Sequence, residues 1–243
     1  MSDEITISTY FVVALYPIVM LIIPEPVSLR WWLRNGSGKP MPSEIARRSE
    51  ENEGYLLMAK FLILVGTTIG LMRHTLVPPS RLGFRPIDLR AAVAFGLIAG
   101  FMLSLWILSM RAVALRMCES EEHVPFLLRE PVWKIFIIIT VGAFAEEYWR
   151  ALSLYLLRRD NSSIGWALAI TAIVFGIGHV LSPQPWPKAL GRILQAAIGG
   201  LFLGGLFLGF QTLMIPFIAH IAVNSFGALI GRRTLSARRA ATP

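Results

Sequence analysis

The chain is predicted to be all-α, a polytopic transmembrane helix bundle of about seven spans. Of its 243 residues 55% are hydrophobic and the mean hydropathy is +0.60, too apolar for a soluble globular domain. Apolar runs of roughly 17–25 residues recur along it, long enough to cross a hydrocarbon core about 30 Å thick. Charges and prolines collect between those runs, most densely in 24–54, 73–90 and 182–188. One integral membrane domain covering 1–243 is the expected organisation, and no internal repeat is evident.

The first span is placed near 7–23, where Pro17 interrupts it and Pro24 ends it. The segment 24–54 is rich in Pro, Gly, Arg and Glu and has room for an interfacial helix around 42–53. Spans two and three fall near 55–72 and 90–110, joined by the proline-broken connector RHTLVPPSRLGFRPIDLR. Spans four and five, near 132–157 and 163–181, hold most of the polar residues discussed below. The connector 182–188 then brings three prolines and Trp186 to a membrane boundary, where aromatic anchors favour the interface. Span six, near 189–210, carries Gly199, Gly200, Gly204, Gly205 and Gly209. The pairs Gly200/Gly204 and Gly205/Gly209 have the small-xxx-small spacing that lets helix backbones approach. Gln211 and Thr212 alone separate it from span seven, near 213–230, which allows a tight hairpin or one broken element.

The net charge of +8 is explained by topology before nucleic-acid binding. With seven spans and the N-terminus outside, 14 of the 23 Lys and Arg fall on the inner side, as the positive-inside rule requires. Arg73, Arg81, Arg85 and Arg90 between spans two and three run against that orientation. A multi-pass protein of the cell membrane with a cytoplasmic C-terminus is the expectation, with no nucleic-acid partner. The acidic start, MSDEITIS, lacks the positive charge of a removable signal peptide, so the first span is expected to stay as an anchor. Cys118 is the single cysteine, which excludes an intrachain disulfide and a thiolate metal cluster.

Glu146 and Glu147 lie in the middle of the apolar run PVWKIFIIITVGAFAEEYWRALSLYLL. A carboxylate at the centre of a bilayer helix costs about 2.5–3.5 kcal/mol even on lenient scales, so a pair there calls for compensation. Span four also carries Arg150, span five has Phe175 and His179, and span seven has His220 and Asn224. Residues four apart share a helix face, so Glu146 can pair with Arg150, and His220 with Asn224. Glu147 is rotated from Glu146 by about 100°, so the two carboxylates meet different neighbours. One can be held by Arg150 while the other points into a cavity. A Glu–Arg pair alone is often structural glue and a lone buried His is usually a helix contact. Two Glu, an Arg, two His and an Asn on three spans point instead to a functional site.

Several intramembrane chemistries lack their residues here. There is no His-Glu-x-x-His motif. Asp3, Asp88 and Asp160 all lie outside the spans, and Ser104, Ser109, Ser153 and Ser225 lack a Gly-x-Ser-x-Gly elbow. What remains is a water activated by Glu and His, with His or Asn donors at the developing oxyanion. Glu146-Glu147-x-x-Arg150, Phe175-x-x-x-His179 and His220-x-x-x-Asn224, in that order on successive hydrophobic spans, resemble the CPBP family. These are the CaaX-protease and bacteriocin-processing intramembrane endopeptidases, also called Abi proteins, and the resemblance covers about 130–230. It implies that Glu146 and His179 activate the attacking water and that His220 and Asn224 stabilise the oxyanion. Glu147, Arg150 and Phe175 would support the site, and the substrate would be a membrane-associated or lipidated peptide.

The spacing departs from the family in one place, because two residues rather than three separate Glu147 from Arg150. With the glutamates as anchor, which we favour, Arg150 is displaced by about 100° around the helix. With Arg150 as anchor, Glu146 takes the second Glu position and Ala145 the first. Glu147 therefore remains a second candidate for the base. The family is commonly named a metalloprotease, and Glu146, His179 and His220 carry suitable atoms for Zn²⁺, although spacing across three helices tests nothing. Two other classes stay open: an inactive immunity or scaffold protein of the same fold, and a proton-coupled transporter, since buried Glu and His also mark proton relays. Against the transporter, the chain has no paired broken helices in two halves.

Overall fold

The computed structural model describes residues 2–22, 43–117, 131–160, 162–179 and 186–241. Among them all regular structure is helical. Helix α1 covers Ser2–Pro17 and widens into a π-helical turn at Ile18–Ile22. Pro17 has no N–H to donate back to the preceding turn, so the α-helical ladder is interrupted there. Helix α2 runs without a break from Ser43 to His74. The expected interfacial helix around 42–53 is thus the first third of α2. No proline separates it from the rest, and Gly54 costs a helix only about 1 kcal/mol.

After α2 a short 3₁₀ turn, Pro79–Leu82, ends at Gly83, whose φ of 84° is left-handed. Any side chain there would also meet the backbone N of Leu213 at 2.4 Å, and the Gly83 carbonyl accepts from that N–H at 3.3 Å. Asp88 caps the next helix, α3 (Leu89–Met117), its Oδ1 accepting from the N–H of Arg90 at 2.9 Å. Helix α4 spans Val132–Arg159, and α5 spans Ile164–Gly178 with the Ser163 side chain as its N-cap. Helix α6 is Trp186–Phe210 and α7 is Met214–Ala241. Most of the connector 182–188 lies outside the described residues. The join between α6 and α7 is a tight turn, with Gln211 at φ 55° and Thr212 Oγ1 accepting from the N–H of Met214.

The fold is a helical membrane bundle. By length and composition α2 (Tyr55–His74), α3 (Leu89–Ser109), α6 (Ala189–Phe210) and α7 (Met214–Arg233) can each cross a membrane. The apolar segments of α1 (Thr9–Met20) and α5 are shorter. Helix α5, at 15 residues, rises about 22 Å, less than a hydrocarbon core about 30 Å thick.

Helix α4 is the hub: it packs against α1, α2, α5, α6 and α7, while α3 lies along α7 and α5 along α6. Its residues from Ala145 to Leu154 are buried without interruption, so every face of those turns meets protein. Gly200 and Gly204 give α6 its close approach to α5, where added Cβ atoms would meet Phe175 at 3.1 Å and Leu168 at 2.6 Å. Gly205 and Gly209 face open space instead. The small-residue spacing therefore serves packing at the first pair.

Candidate active site

The buried turns of α4 carry three ionisable side chains with little solvent contact: Glu146 at 5%, Glu147 at 1% and Arg150 at 1% exposure. Burying them is tolerable only if each charge is paired. Arg150 Nη1 donates to Glu147 Oε1, an i,i+3 pair. Of the two partners open to Arg150 on its own helix, Glu147 is the one taken. The guanidinium also lies over the Phe175 ring, 4.3 Å from its centroid, where the ring's negative face favours a cation.

Glu146 turns to other neighbours. The Tyr16 hydroxyl of α1 donates to its Oε1 at 2.8 Å, and His220 Nε2 lies 3.4 Å from its Oε2. The other nitrogen of the same imidazole, Nδ1, is 2.8 Å from Glu147 Oε1. His220, brought in by α7, therefore bridges the two carboxylates. One ring holds them in fixed relation across adjacent helix positions.

His179 sits immediately after α5, in the C-cap position. Its Nδ1 lies 2.9 Å from the Phe175 carbonyl oxygen and 3.2 Å from the Tyr16 hydroxyl. A carbonyl oxygen can only accept, so Nδ1 carries the proton and Nε2 keeps its lone pair in the neutral ring. His179 is half-buried, whereas the carboxylates, Arg150 and His220 are buried. Phe175 touches the aromatic members of the group, its centroid 4.3 Å from His179, 5.3 Å from Tyr16 and 6.2 Å from His220.

The structure thus brings Glu146, Glu147, Arg150, Phe175, His179 and His220 into one cluster. Asn224 lies one turn beyond His220 on α7, is exposed, and makes no hydrogen bond among the described residues. The His220–Asn224 pairing allowed by their spacing does not form.

Tyr16 was not anticipated. It is fully buried, stacked on Trp149 at 4.8 Å, and Trp149 Nε1 in turn donates to the Val12 carbonyl at 2.7 Å. A tyrosine inside an apolar span needs a hydroxyl partner, and that was the available signal. Which partner it finds depends on how α1 docks on α4.

The residues as arranged do not fit a bound metal. Both nitrogens of His220 are directed at carboxylates, which leaves the Nε2 of His179 as the one imidazole nitrogen of the cluster with a free lone pair. Among the described residues no three His, Cys, Asp or Glu side chains are grouped to hold an ion. No step below is routed through one.

Residues 128–226 match the model of the family described as Type II CAAX prenyl endopeptidase Rce1-like. No curated protein and no solved structure matches the chain. The matched segment includes all three motifs and leaves out α1 with Tyr16. Over residues 128–226 this membrane protein is thus similar to the Rce1-like type II CAAX prenyl endopeptidases, consistent with the CPBP resemblance carried by its motifs.

Proposed function

We propose that the chain is an intramembrane endopeptidase that hydrolyses peptide bonds of membrane-associated or lipidated peptides. The family match implies a protease, and its description names prenylated CAAX substrates, so a peptide with a prenylated C-terminal motif is the substrate class we assign. The observation that carries this reading is the convergence of Glu146, Tyr16, His179 and His220 from four helices in the interior of the bundle.

Glu146 and His179 share the work of activating water. The bare Nε2 of His179 takes a proton from the water, and the hydroxide oxygen bonds to the carbonyl carbon of the scissile peptide. The carbonyl π electrons move to oxygen, giving a tetrahedral oxyanion. His179 then returns the proton to the leaving nitrogen as the C–N bond breaks, yielding a carboxylic acid and an amine. His220 Nε2, held by Glu146 only at 3.4 Å, and Asn224 on the next turn are the oxyanion donors in this scheme. Glu147 and Arg150 are committed to each other and support the site.

Protein reconstituted in liposomes and given a quenched fluorescent peptide with a farnesylated C-terminal Cys motif is expected to cleave it. Glu146→Gln or His179→Ala should lower the rate by about 10²–10⁴-fold with helicity and insertion unchanged. Full activity in both variants would sink the mechanism.

A further inference from the structure

We infer that Tyr16, on a helix outside the family-matched segment, is the positioning residue that joins Glu146 and His179 into one unit. Its kinetic consequence rests on the endopeptidase reading, whereas its spectroscopic consequence rests on the geometry alone. The Tyr16 hydroxyl has one proton and two neighbours, Glu146 Oε1 at 2.8 Å and His179 Nδ1 at 3.2 Å. Because the Phe175 carbonyl obliges Nδ1 to carry a proton, the direction of both bonds follows. The single Nδ1–H of His179 is shared between the Phe175 carbonyl and the Tyr16 oxygen, and Tyr16 donates to the carboxylate. The chain of bonds runs His179 Nδ1–H, Tyr16 O–H, Glu146 Oε1.

This arrangement does for His179 what a directly bonded carboxylate does elsewhere: it fixes the tautomer, orients the ring and answers the charge that appears when Nε2 is protonated. No proton needs to leave Tyr16, because the existing bonds strengthen as the imidazole becomes an imidazolium. The ring of Tyr16 has little freedom to do otherwise. It is stacked between Trp149 at 4.8 Å and Phe175 at 5.3 Å. A Cβ on Gly178 would stand 2.2 Å from it, so the chain just before His179 must be glycine for Tyr16 to reach the site. Helix α1 therefore contributes a positioning side chain to the site.

Tyr16→Phe removes one oxygen and keeps both ring stacks. In detergent-solubilised protein labelled with ¹⁵N-histidine, the His179 Nδ1 signal, assigned with His179→Gln, is expected to move in Tyr16→Phe. The signal of His74 should stay, and the melting temperature should remain within about 3 °C. On the farnesylated quenched peptide, kcat should fall about 10–100-fold while KM changes little. Gly178→Ala, which keeps the tyrosine hydroxyl but pushes it with its ring out of the site, should give the same loss. An unmoved Nδ1 signal, or a wild-type rate in Tyr16→Phe when Glu146→Gln is inactive, overturns the role. Failure of the endopeptidase reading looks different: no Glu146-dependent hydrolysis by the wild type, with the Tyr16→Phe spectral change still present.

Discussion

Glu146 and Glu147 differ in their partners more than in their depth. Glu147 is committed to Arg150 and His220 Nδ1, whereas Glu146 has a neutral hydroxyl donor and a looser contact with His220 Nε2. Their substitutions should therefore separate stability from activity. Arg150→Met leaves Glu147 a buried charge without its main partner, and thermal unfolding in detergent should show a loss of about 3–5 kcal/mol. Glu146→Gln keeps an acceptor for Tyr16, so its unfolding should stay within about 1 kcal/mol of wild type while hydrolysis is lost. The chain order made both carboxylates and Arg150 legible as one group. It left the pairing open, because i,i+3 and i,i+4 neighbours share a helix face. Packing decided it: Arg150 pairs with Glu147 while its guanidinium lies over the Phe175 ring.

Among the helices, α1 and α5 are short; α1 delivers Tyr16 to the site, and α5 delivers Phe175 and, at its C-cap, His179. Trp149 fastens α1 to α4 through the Val12 carbonyl, so Trp149→Phe should cost about 1 kcal/mol in an unfolding titration. That loss should also lower the hydrolytic rate, because Tyr16 rides on α1. Ser163 holds the other end of α5, and Ser163→Ala should cost about 0.5–2 kcal/mol through the lost cap. Element boundaries were readable where composition changes sharply, as at Pro78, Pro79 and Asp88 around the first connector. The continuity of α2 through 43–54 was not. A polar amphiphilic segment reads alike as a separate interfacial helix or as the extension of a span, and the absence of a proline decides between them only once the backbone is seen.

For the whole molecule, we propose that the N-terminus lies outside and the C-terminus in the cytoplasm. In a Cys118→Ser background, Ser80→Cys in the exposed connector between α2 and α3 should react with an impermeant maleimide from the outer face of intact cells. Labelling only after permeabilisation would reverse the assignment. The amino-acid sequence by itself determined the all-helical membrane architecture, because a bilayer demands long apolar runs with internally satisfied backbones. It also determined the residue types of the site, since charges that expensive stand out against an apolar background. Only the tertiary structure decided that Arg150 holds Glu147, that His220 bridges both carboxylates and leaves Asn224 unpaired with it, and that Tyr16 links Glu146 to His179. Those choices depend on the relative rotation and depth of the three helices α1, α5 and α7 packed around α4, and hydrophobic periodicity records which residues are buried without recording which buried residues meet.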